Sequence, residues 1–390
     1  MAVMIDFPRR KHGQISPPVE YADLRQREGL VRSQLPNGST VWLVTRHQDV
    51  RTVLTSPQIS SNPTHEGFPN LGDVQTVPLP EQIPGWFVGY DQPDHGRFRK
   101  TLIPEFTVRK IRELRPAIEK IVNSRVDAML AAGPPADLVN DFALPVPSLV
   151  ICAMLGVPYS DHEFFEEHTR TLVRFTSTQE EREEAVGALV TYLNRLVSIK
   201  QRFRGTDLIS KLLAGDSLTA EEIVGVGLLL LIAGHETTAN NIAIGTVMLL
   251  LNRQWIGDPR AVEEVLRFAS VADLVSLRVA VEDVEIGGEL IRAGEGIVPL
   301  VAAANHDVEA FDRAAEFDPS RPAKHHVAFG YGVHQCLGQN LVRAEIEIAY
   351  QVLFSRIPTL DLAMPVEDLP FKYDGILFGV HELPVTWTAD

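Results

Sequence analysis

Near the end of the chain, Phe329-Gly330-Tyr331-Gly332-Val333-His334-Gln335-Cys336-Leu337-Gly338 sets a thiol in a glycine-rich loop. A helical pattern follows at once. Leu341, Ala344, Ile348, Ala349 and Val352 recur at three- and four-residue steps, and Pro358 ends the run, so a helix is predicted from Gly338 to about Ile357. A cysteine at that place meets unpaired backbone N–H groups and the positive end of the helix dipole, which favour thiolate over thiol. Gly330, Gly332 and Gly338 let the backbone turn sharply and a large flat group approach. Three chemistries compete: a buried cysteine acting as a small hydrophobe, a thiolate ligand to haem iron, and zinc. Zinc is the weakest, because no second cysteine lies nearby.

A second chemical segment, Ala233-Gly234-His235-Glu236-Thr237-Thr238, lies inside a long helix. Thr219 and Glu222 form a capping box at its start, and the pattern runs to about Asn252. At 1.5 Å per residue such a helix spans roughly 50 Å, the width of the whole molecule. Leu228 to Leu231 leave it no polar face, so it should be buried. A glycine, an acid and two β-branched alcohols are poor choices for a buried helix interior. They mark either a kink, with Thr hydroxyls bonding back to carbonyls, or a functional site.

Two further pairs sit at helical spacing. His95 and Arg99 share a face at i,i+4, and Glu264 and Arg267 at i,i+3. Taken alone they read as a solvated basic face and a surface ion pair of little energetic value.

The elements that must position these groups are mainly helical. Helical patterns cover Tyr21 to Glu28, His47 to Leu54, Arg109 to Ala132, Ser148 to Leu155, Asp161 to Arg204 with a break near Thr176-Ser177-Thr178, and Pro259 to Phe268. Ser39 to Thr45 reads as a strand, and Glu285 to Leu300 as short strands with too little alternation for a large sheet. Ser56 to Asp91 is a proline- and glycine-rich loop, long enough to suggest a function.

With 390 residues, length alone suggests two or three domains. A net charge of −15 argues against nucleic-acid binding. Two cysteines, Cys152 and Cys336, suggest a reducing compartment. Met1 to Gln14 has no apolar core, and the longest apolar run, Ile223 to Gly234, is too short to span a bilayer. A soluble cytoplasmic protein is expected. Between His95 and Arg115 seven Lys or Arg face two acids, a basic island suited to docking an acidic electron-transfer protein.

The order Phe-Gly-x-Gly-x-His-x-Cys-x-Gly resembles the haem-binding loop of the cytochrome P450 family, a family defined by thiolate ligation. The resemblance extends from about Trp42 to Val385, with four motifs in order. It implies one mainly α domain, residues 1–390, with a smaller β-sheet region and haem b between the long helix and the cysteine loop. Cys336 would be the axial ligand to the iron, with Phe329, Gly330 and Gly338 shaping its loop. His95, Arg99, Arg278 and His334 would hold the propionates. Ala233 and Gly234 would leave a groove for dioxygen, Thr237 would hydrogen-bond the bound oxygen, and Glu236 would feed the two protons that O–O cleavage consumes. His235 receives no role. Glu264 and Arg267 would form a buried structural pair, and Leu229, Ala233, Val275, Ile376 and Leu377 would line the substrate pocket. The end, Ile376 to Val385, resembles a final hairpin, Ser56 to Asp91 a flexible pocket wall, and Asp161 to Arg204 a mobile roof.

Two departures stand out. Asn305-His306-Asp307 replaces the commoner Asn-Arg-Asp, and the stretch from Asn252 to Glu263 is shorter than usual. The implied activity is monooxygenation of a small apolar organic molecule, a polyketide, macrolide or terpenoid, by a monomer. Dioxygen would be co-substrate, and electrons would come from NAD(P)H through a reductase and a ferredoxin, since no flavin or iron–sulfur segment is visible. A peroxide-driven peroxygenase and a non-catalytic haem sensor or carrier are the alternatives. Neither needs the Glu236–Thr237 pair.

Overall fold

The computed structural model describes residues 4–388 except 11–12, 14, 36, 72–82, 175 and 374, and not the Tyr159 side chain. Residues 1–3, 11–12 and 14 of the N-terminal stretch, and Gly72, Pro78 and Pro80 of the expected pocket wall, therefore lie outside the described residues. The helices are α1 (Glu20–Gln26), α2 (His47–Thr55), α3 (Asp94–Leu102), α4 (Val108–Ala132), α5 (Pro145–Leu155), α6 (His162–Val173), α7 (Gln179–Arg202), α8 (Leu208–Ala214), α9 (Ala220–Leu251), α10 (Ala261–Ala269), α11 (Val301–Asn305) and α12 (Gln339–Arg356). The fold is mainly helical with small sheets, as expected.

The strands are short: β1 (Met4–Asp6), β2 (Val31–Gln34), β3 (Thr40–Val44), β4 (Ile59–Ser60), β5 (Ala136–Asp137), β6 (Arg278–Ala280), β7 (Val284–Ile286), β8 (Glu289–Ile291), β9 (Gly296–Pro299), β10 (Asp361–Leu362), β11 (Phe371–Lys372), β12 (Gly379–Val380) and β13 (Pro384–Thr386). Six of them join in the order β1-β2-β3-β9-β6-β4. This sheet is larger than the sequence suggests, because its strands are too short to show a period of two. The C-terminal hairpin also differs from expectation. Phe371 pairs with Val380, and β13 instead joins β10 and β5. The loop 373–378 is thus the hairpin tip.

α9 organises the helical layer. Its capping box forms as predicted: Thr219 N–H donates to Glu222 Oε2 (2.8 Å) and Glu222 N–H to Thr219 Oγ1 (3.2 Å). α5, α7, α10 and α12 pack around it. By length and composition it could cross a membrane, yet most of it is buried within the protein. The short link after it closes through a turn at Arg253–Trp255, where Arg253 donates to Leu360 O at 2.8 Å. Leu251 is left exposed at that end.

Candidate active site

Cys336 sits half-buried three residues before α12, and its N–H donates to Phe329 O (2.8 Å), closing the loop on itself. Gly330 and Gly332 adopt φ of +69° and +74°, which a side chain would strain. At Gly332 a Cβ would also meet Leu54 O at 2.7 Å. At Gly338 a Cβ would project into space whose nearest atom is Cys336 Sγ, 4.0 Å away. The glycine keeps the flank of the sulfur clear.

The charge state of the thiol departs from expectation. Burial pushes the Cys336 thiol up, and the N–H groups of Gly338 and Gln339, with the Arg99 and Arg343 guanidiniums, offset this only in part. The donors predicted at the helix start are present, but they do not win without a cation on the sulfur. Coordinated metal deprotonates a thiol outright.

Four basic groups converge beside the loop. The rings of His95 and His334 stack with centroids 3.8 Å apart. Ser61 Oγ lies 3.1 Å from His334 Nε2, and Gln92 donates to His95 Nδ1. Burial, then Arg99 and Arg278, lowers His95 to about 4. Burial, Arg278, His95 and Arg99 lower His334 to about 2. Arg278 is buried, its guanidinium pushed down to about 10 by that burial, and among the described residues it donates only to Leu277 O at 2.8 Å. The one nearby acid, Asp91, is engaged by Ser60 and Ser61. One buried and one half-buried guanidinium and two imidazoles, with Asp91 the nearby acid among the described residues, call for anionic partners. A flat group carrying two carboxylates and a metal that takes a thiolate supplies them, so the donor set fits haem.

The loop is clamped from α10. Glu263 accepts from Arg343 Nε (2.5 Å), just after the loop, and from His326 Nε2 (3.2 Å), just before it. Ala328 N–H donates to His326 Nδ1, so Nε2 carries the proton. Burial would raise the Glu263 carboxyl, but His326 and Arg343 hold it down at about 2. The next residue, Glu264, accepts from Arg267 (2.7 and 2.8 Å), Arg321 Nε (2.9 Å) and Asp318 N–H (2.9 Å). Arg267 also donates to the carbonyls of Asn305, Ala314 and Glu316. Both side chains are 0% exposed, so the pair is buried and not a surface bridge.

In the middle of α9, Ala233 is exposed and Gly234 and Thr237 are half-buried, while their neighbours are buried. Thr237 Oγ1 donates to Ala233 O (2.9 Å) and Thr238 Oγ1 to Gly234 O (3.3 Å), the back-bonding expected of a kink. A Cβ on Gly234 would meet Ile151 of α5 at 3.2 Å. The missing side chain therefore lets two helices approach. Glu236 is buried and bonded to Lys372 Nζ (3.3 Å), which also reaches Asn240 Oδ1 (3.1 Å). Burial would raise Glu236, but Lys372, His235 and Arg170 outweigh it and hold the carboxyl below its usual range. His235, left without a role by the sequence, bonds Leu231 O (2.7 Å) and Thr169 Oγ1 of α6 (2.9 Å).

Of the expected pocket residues, Leu229 and Leu377 are buried, Ile376 lines a cavity, and Val275 is 46% exposed. His306 is buried beside Phe268, with Nδ1 on Ala302 O (3.0 Å) and Nε2 without a partner. Asn305 and Asp307 hold Val327 N–H and His47 N–H, so this motif ties the loop's approach to α2. The basic island is partly neutralised: Arg97 pairs with Glu222, Lys110 with Glu113, and Arg115 with Glu347. Lys100, Arg109 and Arg112 are exposed and make no ion pair among the described residues.

Comparison with known proteins agrees with this geometry. Residues 259–387 match the family described as Cytochrome P450. The chain is 43% identical to the vitamin D3 dihydroxylase of Streptomyces griseolus, over 98% of this chain and 96% of the relative. It is equally, 43%, identical to the pentalenic acid synthase of Streptomyces avermitilis, over 98% and 97%. The crystal structure of the mycinamicin VIII C21 methyl hydroxylase of Micromonospora griseorubida, bound to mycinamicin VIII, superposes with a TM-score of 0.92 at 38% identity, covering 99% of this chain and all of that one.

Proposed function

The chain belongs to the cytochrome P450 family and is a monooxygenase, and we propose that it hydroxylates or epoxidises a bulky apolar secondary metabolite of the polyketide, macrolide or terpenoid class. The observation that carries the reading is the half-buried Cys336 loop beside four buried or half-buried basic groups. Haem held there would supply the iron that activates dioxygen. The chain's own residues then do the rest. Cys336 would be the ligand, with Phe329, Gly330 and Gly338 shaping the loop around it. Arg99 and Arg278 would pair with the two propionate charges, and the neutral rings of His95 and His334 would hydrogen-bond to them. Thr237 presents its hydroxyl, bonded to Ala233 O, in the half-buried middle of α9 and would hand a proton on from there. Glu236 holds a proton-accepting carboxylate deep in the helix.

The whole chain, 1–390, acts as one cytoplasmic domain and as a monomer. It takes electrons from a ferredoxin that meets Lys100, Arg109 and Arg112, and it carries no flavin or iron–sulfur centre of its own. The test is a spectral titration of the ferric protein with macrolide, terpenoid and aromatic precursors, then NADH-coupled turnover in wild type and Thr237→Ala. A saturable Soret shift with one class names the substrate class. Full coupled turnover in Thr237→Ala sinks the role given to that hydroxyl.

A further inference from the structure

A cavity of about 290 Å³ opens between the N-terminal segment, the start of the sheet and the tip of the β11–β12 hairpin. Its apolar wall includes Phe7, Leu274, Ile376 and Phe378. Its charged groups are Arg9, Arg10 and Lys372 against one acid, Asp273. Asp273 is spent on the protein: Oδ2 accepts from Tyr21 OH (3.0 Å) and Oδ1 from Ala302 N–H (2.6 Å). Arg10 lies over the Phe378 ring at 3.8 Å and donates to Ile15 O and Ala269 O. Lys372 gives one ammonium proton to Glu236 and one to Asn240, and the third has no protein partner among the described residues. With Lys372 paired to Glu236 and Arg10 near Asp273, the cavity offers spare N–H donors and the charge of Arg9 next to an apolar wall that continues to Ile376.

We propose that this cavity binds the carboxylate end of an amphipathic substrate, with Lys372 as the specificity-determining cation and Arg10 assisting. The proposal rests on the reading of Ile376 as substrate-facing in a haem monooxygenase. It narrows the substrate class from apolar to apolar with one anionic end. The anion shares the Lys372 ammonium with Glu236 and need not displace it, because one N–H is uncommitted. An uncharged ester of the same chain lacks the charge that makes this contact strong.

The test uses ferric haem-loaded enzyme and two probes, dodecanoate and methyl dodecanoate, read by the Soret shift. The acid should bind about ten- to a hundredfold tighter than the ester in wild type. Lys372→Met should remove that preference and leave ester affinity unchanged, Lys372→Arg should keep most of it, and Arg10→Met should reduce it. Equal affinity for acid and ester in wild type, including no binding of either, overturns the proposal. So does a Lys372→Met variant that weakens both probes alike. The reduced carbon monoxide spectrum, taken on each variant, reports the thiolate haem separately, so loss of its band counts against the haem reading and not against the carboxylate site.

Discussion

Two buried acid–base pairs flank the reaction site, and they are built in opposite ways. Glu264 and Arg267 make two bonds to each other and five more to Asp318, Arg321 and three carbonyls, with neither side chain exposed. Glu236 and Lys372 make one bond of 3.3 Å, and the lysine is 18% exposed at a cavity. The first pair is a closed network that fixes backbone, joining α10 to the segment that leads into the cysteine loop. The second keeps a proton donor uncommitted beside the helix that carries Thr237. On the proposed function, rigidity is thus placed on the ligand side and spare hydrogen-bonding capacity on the side where protons and substrate would arrive.

The largest break in this contrast is Arg267→Met. It leaves three carbonyls unpartnered and a buried carboxylate with only Arg321 and Asp318 N–H, so it should cost about 3–5 kcal/mol and leave little folded, haem-loaded protein. Lys372→Met removes the same kind of partner, but Glu236 can take up a proton once the cation is gone, since burial favours its neutral form. That variant should fold and load haem with a much smaller loss of stability. Denaturant melts of both decide the matter: equal losses would end the distinction between a closed and an open pair. Glu263→Gln comes next. It weakens the clamp on both ends of the loop, and charge-assisted bonds of this kind contribute about 1.5–3 kcal/mol. The thermal melt should fall and haem should leave faster, with substrate binding by the retained holoenzyme unchanged.

The pH dependence sharpens the same comparison. His306, beside Arg267, is held neutral well below its usual range by burial, then by the Arg267 charge. The unfolded chain therefore binds a proton below about pH 6.5 that the folded chain refuses. Stability is full above that pH and falls as pH drops through it, by about 1.4 kcal/mol per pH unit for this one group. His306→Leu should flatten the slope of melting temperature between pH 7 and 5. An unchanged slope would move the acid sensitivity to His95 and His334, which have the same sign.

The sequence exposed what is local. The Cys336 loop, the capping box, the acid–alcohol segment and the Glu264–Arg267 spacing each lie within a few residues, where periodicity and motif order are visible. What it hid is long-range. Lys372 reaches Glu236 across 136 residues, Arg343 reaches Glu263 across 80, His235 reaches Thr169 across 66, and Ser61 reaches His334 across 273. A lone Lys or Ser carries no signal of such a partner. The six-stranded sheet was hidden for another reason: β1 and β4 have three and two residues, shorter than one readable alternation. At Gly234 the local motif suggested a groove, and it gave no sign of the close approach of Ile151 from a different helix.

The smallest expected effect separates charge that is spent from charge that is available on the basic island. Arg97 already faces Glu222, which also caps α9, so Arg97→Ala should cost at most about 1 kcal/mol and leave reduction by a ferredoxin nearly unchanged. Arg109 and Arg112 are exposed without acidic partners among the described residues. Arg112→Glu should slow the bimolecular reduction several-fold at low salt, and the difference from wild type should vanish as ionic strength rises and the Debye length falls to about 8 Å near 0.15 M. Stopped-flow reduction over a salt series makes the measurement. A wild-type rate that ignores salt, or an Arg97→Ala variant as slow as Arg112→Glu, would show that the donor docks elsewhere, and the spare charge of Arg109 and Arg112 would then be ordinary solvated surface.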